Sequence, residues 1–378
     1  MTTAGATMRA IAVRPGVAGS IHARVVPRPR VDDVPGGRGV LVDVLRVGLC
    51  GTDEEIADGL FGAAPDGDDV LIIGHENLGR VAAVGSAVPP DFGVGTLVVA
   101  TVRRPGGSLY DRLGMQDFTT EPVLEHGIRR LHGFLTESYV DDLDFLVPLP
   151  SSLSTVGVLL EPLSIVEKGL HQATEIQRRL RIWRPQRAAV IGAGSIGLLA
   201  ALVLRLRGVD VTVLSRRAHP YRNSELVEAL GARYLSTGES TLAAAAAAHG
   251  PFDLIFEASG YSPLAFEAAR VLGTNGVLVL CGVTSGPKTF EIDGNAINQD
   301  FVLGNKVMVG TVNASRDDFL RGVEDMLRAE AFHPGWLEQL LTTPIAGLAD
   351  TAPIVSSFRD RDTIKAYVVM EPAAPTSA

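Results

Sequence analysis

Three short stretches set metal-ligating side chains beside turns. GLCGTDEEI places Cys50 between two turn glycines, and IIGHEN places His75 and Glu76 directly after an apolar run. LLEPLSIVEKG places Glu161 where the sequence pattern changes character. One thiolate, one imidazole and carboxylates are sound ligands for a zinc ion that keeps an open position for substrate. Taken singly, a lone cysteine is by default a small core residue and a lone histidine a satisfied structural one, so spacing alone leaves both readings standing. Asp53, Glu54, Glu55 and Asp58 gather beside Cys50. Glu54 and Glu55 read as a solvated helix face, whereas Asp53 is placed to orient a ligand from behind.

A second chemistry is written at GAGSIG, Gly192–Gly197, which matches G-x-G-x-x-G. It follows the apolar stretch RAAVI and opens the helix-like SIGLLAALVLRL. Gly192 permits a tight turn, Gly194 lets the backbone approach a pyrophosphate, and Gly197 lets helix pack on strand. Ser195 and Ile196 then stand in the first helical turn, whose free N–H groups face phosphates. The cofactor type is read where the next strand, DVTVL, runs out. An acid there would accept from the ribose hydroxyl of NAD, but this sequence has Ser215, Arg216 and Arg217. Guanidiniums and a hydroxyl donate to a 2′-phosphate, so NADP is expected, with NAD weaker; two solvated surface arginines are the plainer alternative.

These residues need elements to hold them. Strand-like MRAIAV, HARVVP and VLVDVLRVG, punctuated by Gly and Pro, make the chain β-rich to about residue 150. From Arg103 to His132 the hydrophobic pattern lapses, which reads as a loop or lobe. After Glu161, buried strand-like runs alternate with helical ones, the mark of a parallel sheet covered on both faces. The alanine run in TLAAAAAAHG suits a plain crossover helix. From Asp317 the chain shows one amphipathic helix pattern and a strand-like AYVVM, a return to the first domain. The domains expected are residues 1–165, 166–314 and 315–378, the last completing the first.

Composition narrows the class. The 378 residues carry a net charge of −9, against nucleic acid as the main partner. Two cysteines, Cys50 and Cys281, exclude a disulfide scaffold and any four-cysteine metal site, and suit a reducing cytoplasm. Residues 1–7 show no leader pattern, and the longest apolar run, Ala188–Leu204, is too short to cross a membrane.

GLCGTD, GHE and GAGSIG, in this order and at these separations, resemble the zinc-dependent medium-chain dehydrogenase/reductase superfamily. Within it, CGTDEEI, RPGG…GMQDF, EHGI…HGFLTESY, EPLSIVEKGL, SRR and GTVNAS resemble the archaeal-type glucose (aldose) 1-dehydrogenases. The resemblance covers essentially the whole chain. It implies an α/β protein, a GroES-like β-rich catalytic domain plus a Rossmann doubly wound parallel-sheet cofactor domain. It implies one catalytic zinc at Cys50 and His75, with Glu76 and Glu161 as ligands or exchanging carboxylates. Thr52 matches the hydroxyl that relays the substrate proton. Glu125 and Asn313 match sugar-binding positions, a duty Glu161 shares. Cys281, Gly282 and Val283, then Thr311, Val312 and Asn313, and also Lys365, match further cofactor contacts. The activity implied is NADP-preferring oxidation of an aldose at its anomeric carbon to the lactone. The alternatives are the same chemistry on another polyol, an aminosugar precursor or a secondary alcohol, or a zinc-free NADPH reductase or NADPH-binding protein. One departure is plain: the lobe at Arg103–Glu121 lacks the four cysteines that hold a structural zinc in most of the superfamily. Packing and hydrogen bonds must hold it instead, and a homodimer is as expected as a homotetramer.

Overall fold

The computed structural model describes residues 6–90, 92–283 and 289–370; of the leader reading at residues 1–7, residues 1–5 lie outside the described residues. The chain divides into two compact units. The first comprises the described residues of Met1–Glu161, Ala314–Val323 and Leu337–Ala378, the second Pro162–Asn313 and Glu324–Trp336.

The first unit is built on strand Gly39–Leu49. Val40, Val42 and Val44 face the core by alternation. A register irregularity between Val44 and Arg46 then shifts the parity, so that Val47 returns to the core face. This strand pairs antiparallel with Glu76–Val84 on one side and Lys365–Val369 on the other. The register sets Glu76 opposite Gly48 and Ala366 opposite Leu49. The end of one strand therefore gathers Cys50, Glu76 and Lys365, residues far apart in sequence. Gly48 leaves room for the Glu76 carboxylate in its present place, because a Cβ there would lie 2.0 Å from Glu76 Oε2 and force it to move.

The stretch expected as a lobe carries a three-stranded sheet, Arg103–Arg104, Leu124–His126 and Arg130–Leu131, and a short helix, Leu109–Arg112. Side chains hold it. Arg103 donates to Glu125 Oε1 at 2.7 Å and to the Asp117 carbonyl at 3.1 Å. Ser108 and Asp111 form a reciprocal cap on the helix, and Thr119 donates to Asp111 at 2.7 Å.

The second unit is a six-stranded parallel sheet. Its order is Arg233–Ser236, Asp210–Ser215, Arg187–Ile191, Phe252–Glu257, Leu272–Leu280, Val307–Gly310. The apolar run Ala188–Leu204 resolves into the central strand and the helix Ser195–Leu206, whose residues from Gly197 to Leu204 are all buried. The tail holds two helices, Arg316–Phe332 and Ala352–Arg359, where one was expected. The second is only eight residues, too short to show a period. Residues 324–336 side with the second unit because Trp336 Nε1 donates to the Leu226 carbonyl at 3.0 Å and Arg328 to the Leu206 carbonyl at 3.0 Å. Among the described residues, no helix is long and apolar enough to cross a membrane.

Candidate active site

Cys50 caps the helix Gly51–Ala57, its sulfur accepting the Thr52 N–H at 3.3 Å. Asp53 replies from within the same turn, its Oδ2 accepting the Cys50 N–H at 3.0 Å. The other oxygen accepts the Gly74 N–H at 3.2 Å and lies 3.6 Å from His75 Nδ1. One buried carboxylate thus ties the Cys50 turn to the turn before His75 and stands beside the imidazole, whose Nδ1 has no hydrogen-bond partner among the described residues. His75 Nε2 faces Cys50 Sγ at 3.2 Å. With Glu76 they form a triple whose ligand atoms lie within 4.8 Å of one another.

The triple fits a zinc ion. Sulfur and nitrogen ligands of one tetrahedral zinc stand about 3.5 Å apart, near the separation found. Glu76 Oε2 is buried without a hydrogen-bond partner among the described residues, so it has lone pairs to give. A thiolate with an imidazole suits zinc and disfavours magnesium or calcium. Burial alone would depress His75, yet the Cys50 and Asp53 charges outweigh it and hold the imidazole well above its ordinary range. A metal must therefore displace a proton from His75. Zinc uptake by the metal-free chain should release protons and tighten as pH rises; titration calorimetry in buffers of different ionisation enthalpy reads this directly. The stoichiometry expected is one zinc per chain. Plasma emission giving two would refute the ligand arithmetic.

Lys365, expected as a cofactor contact, has its ammonium buried at 1% exposure, 2.6 Å from Glu76 Oε1 and 3.3 Å from the Leu49 carbonyl. No local signal points to this pair, although a lysine opening the apolar strand KAYVV invites the question of its partner. Glu161 stands outside the triple but within its field. Burial pushes its carboxyl up to about 7, with Glu76 and Asp53 adding to the rise while His75 and Lys365 oppose it. Thr52 is held beside the sulfur by its own N–H. Glu125 is a buried partner of Arg103 in the lobe sheet and is not part of the triple.

In the second unit the three glycines of GAGSIG do different work. Gly192 has a φ of +103°, open to glycine and strained for other residues. A Cβ on Gly197 would meet the Gly192 carbonyl at 1.9 Å. A Cβ on Gly194 would meet nothing within 4 Å, so this backbone faces open space at the start of the helix, where Ser195 and Ile196 follow. That space suits a pyrophosphate. Ser215 ends its strand half-buried, and Arg216 and Arg217 are exposed beyond it. The Arg217 guanidinium lies 4.7 Å from the Tyr221 ring centroid. Cys281, Gly282 and Val283 follow strand Leu272–Leu280. Thr311, Val312 and Asn313 follow the edge strand, with Thr311 Oγ1 buried without a hydrogen-bond partner among the described residues. Asn313 adopts a φ of +59°, and the Lys168 ammonium donates to the Val312 carbonyl beside it at 3.3 Å.

Residues 154–370 match the family model for the glucose dehydrogenase C-terminus, and residues 36–151 that of the alcohol dehydrogenase GroES-like domain. A glucose 1-dehydrogenase of Methanocella arvoryzae is 44% identical over 338 residues, which is 89% of this chain and 92% of that protein. The chain belongs to the glucose dehydrogenase family. It is therefore a dehydrogenase of the zinc-dependent medium-chain type, with a GroES-like domain and a Rossmann-like parallel sheet. A second member, from Thermoproteus tenax, is 42% identical over 89% of this chain and 92% of its own length. Among solved structures, Haloferax mediterranei glucose dehydrogenase in complex with NADP, Zn and gluconolactone matches with a TM-score of 0.85. Its identity is 32%, over 97% of this chain and all of that one.

Proposed function

We propose that this chain oxidises an aldose of the glucose or galactose kind at its anomeric carbon to the lactone, using zinc and preferring NADP. One observation carries the reading: a Cys50–His75–Glu76 triple and an acid-free, arginine-bearing dinucleotide turn occur in one chain of the glucose dehydrogenase family.

Cys50, His75 and Glu76 would hold the zinc, and Glu161 would exchange with Glu76 as a ligand or bind sugar hydroxyls. When bound, the ion lowers the pKa of an anomeric hydroxyl, and the nicotinamide accepts hydride. Asp53, 3.6 Å from His75 Nδ1, would orient the imidazole from behind. Lys365 holds Glu76, which assigns this lysine to the metal cluster in preference to the cofactor. Thr52 takes the substrate proton onward toward solvent. Glu125 and Asn313 would contact the sugar, the first anchored by Arg103. In the second unit, Gly192, Gly194, Ser195, Ile196 and Gly197 would cradle the pyrophosphate. Cys281, Gly282, Val283, Thr311 and Val312 would line the nicotinamide half. The domain extents that go with this reading are a catalytic part at 1–165 and 315–378 and an NADP part at 166–314.

Screening aldoses and polyols with both cofactors tests the reading. Turnover of an aldose to its lactone is the expected result; activity confined to polyols or secondary alcohols, or none without regard to zinc, would displace it. Cofactor choice gives a quantitative arm. Arg216 and Arg217 each offer charge-assisted bonds worth roughly 1.5–3 kcal/mol, which exposure pulls to the low end. A net preference for NADP of about 2 kcal/mol, roughly 30-fold, is expected. Arg216→Ala should raise the KM for NADP and change kcat little, because the contact is the same in ground and transition states. Ser215→Asp should shift the ratio of kcat/KM values further toward NAD; an unchanged ratio would count against the assignment.

A further inference from the structure

The order of the parallel sheet decides which way a dinucleotide lies on it. The glycine turn leaves strand Arg187–Ile191, and the arginines stand at the end of its neighbour on one side, Asp210–Ser215. With the pyrophosphate at the turn and the adenosine ribose at the arginines, the nicotinamide half extends the other way, over the ends of Phe252–Glu257 and Leu272–Leu280. Those ends, with that of the edge strand Val307–Gly310 beside them, carry apolar side chains, Val283 80% and Val312 59% exposed. They also carry one acid. Glu257 closes its strand at 1% exposure. Its Oε1 accepts the Ser259 N–H at 2.7 Å, the Ser259 hydroxyl at 2.5 Å and the Gly260 N–H at 3.1 Å. Its backbone carbonyl accepts the N–H groups of Cys281 and Gly282 at 3.0 and 3.2 Å. Its Oε2 is turned to Gly282, where an added Cβ would come within 2.9 Å of it.

Such a residue binds together the loops that follow two neighbouring strands, a task a neutral acceptor would serve. Its charge has a further consequence. We propose that the buried Glu257 carboxylate discriminates between the two redox states of the cofactor, favouring NADP+ over NADPH at this site. The oxidised nicotinamide carries a positive charge that the reduced ring lacks, and an anion fixed at the end of this strand would attract only the former. The inference rests on the NADP reading above. At an effective dielectric of about 20, unit charges about 10 Å apart attract each other by an amount worth roughly tenfold in affinity. The bias assists release of the reduced cofactor after each oxidation.

Equilibrium binding tests it without turnover. NADP+ is titrated by calorimetry and NADPH by its fluorescence, on the wild-type chain and on Glu257→Gln. The wild type should bind NADP+ at least as tightly as NADPH. Glu257→Gln should weaken NADP+ roughly tenfold and NADPH less than about twofold, because glutamine keeps an acceptor and removes only the charge. Equal weakening of both, or no change in their ratio, would overturn the proposal and leave Glu257 a loop anchor. Should the variant not fold, the wild type decides alone: NADPH bound about tenfold tighter than NADP+ would refute the bias. A wild type that binds neither nucleotide would remove the NADP reading itself, and this inference with it.

Discussion

Cys50→Ser should abolish sugar oxidation, by at least about a thousandfold, and leave NADPH affinity within about twofold of wild type. Serine can still accept the Thr52 N–H that the sulfur accepts at 3.3 Å, and Asp53 still receives the Cys50-position N–H, so the turn survives. What is lost is the soft donor. Neutral hydroxyl is a poor zinc ligand, and His75 with Glu76 makes only two-thirds of the triple. The glycine turn is in the other compact unit, so cofactor binding has no cause to change. Zinc content, turnover and NADPH fluorescence on one preparation settle it. If NADPH affinity fell in parallel with activity, the separation of metal and nucleotide sites would be wrong.

Lys365→Met should destabilise the metal-free chain by about 3–5 kcal/mol, because it strands a buried carboxylate. Lys365 and Glu76 are 1% and 2% exposed, and their 2.6 Å contact supplies the glutamate's countercharge. A bound zinc brings a second cation to the same carboxylate, so the loss should shrink in the zinc-loaded protein. Denaturant unfolding with and without zinc measures both. An equal loss in the two states would assign Lys365 a packing role alone. Arginine at this position is not a mild change, since its planar fork will not fit the site of a single ammonium that also donates to the Leu49 carbonyl.

Much of this was legible in the residues, for identifiable reasons. Strand–turn–helix order around Gly192–Gly197 is a local pattern, and local patterns survive in sequence. Cys50, His75 and Glu76 stand out as ligand types at turns, but spacing leaves a structural reading open, and it is the family resemblance of GLCGTD and GHE that implies a zinc there. The lobe could not be resolved, because strands of two or three residues have no periodicity to read. The Lys365–Glu76 pair was hidden by its sequence separation of 289 positions. Only the pairing of Gly39–Leu49 with strands on both sides brings them together. Asp53 was the intermediate case. Three positions after a capping residue is where an acid serves the helix, and nothing local shows that its second oxygen reaches across to Gly74 and His75.

That pairing also fixes a timetable. Leu49 waits for a contact 316 positions downstream. As the chain leaves the ribosome, at about 5–20 residues per second, the glycine-turn sheet has all its strands well before Lys365 has been synthesised. The metal half does not. Until its last strand docks, Glu76 lacks its countercharge and the Arg46–Leu49 end of strand Gly39–Leu49 has an open edge, the other end being paired with Ser138–Asp142. Lys365 thus reaches Glu76 only when the chain is nearly complete, and a nascent chain stalled before Lys365 would carry its whole glycine-turn sheet while Glu76 still waited for its lysine.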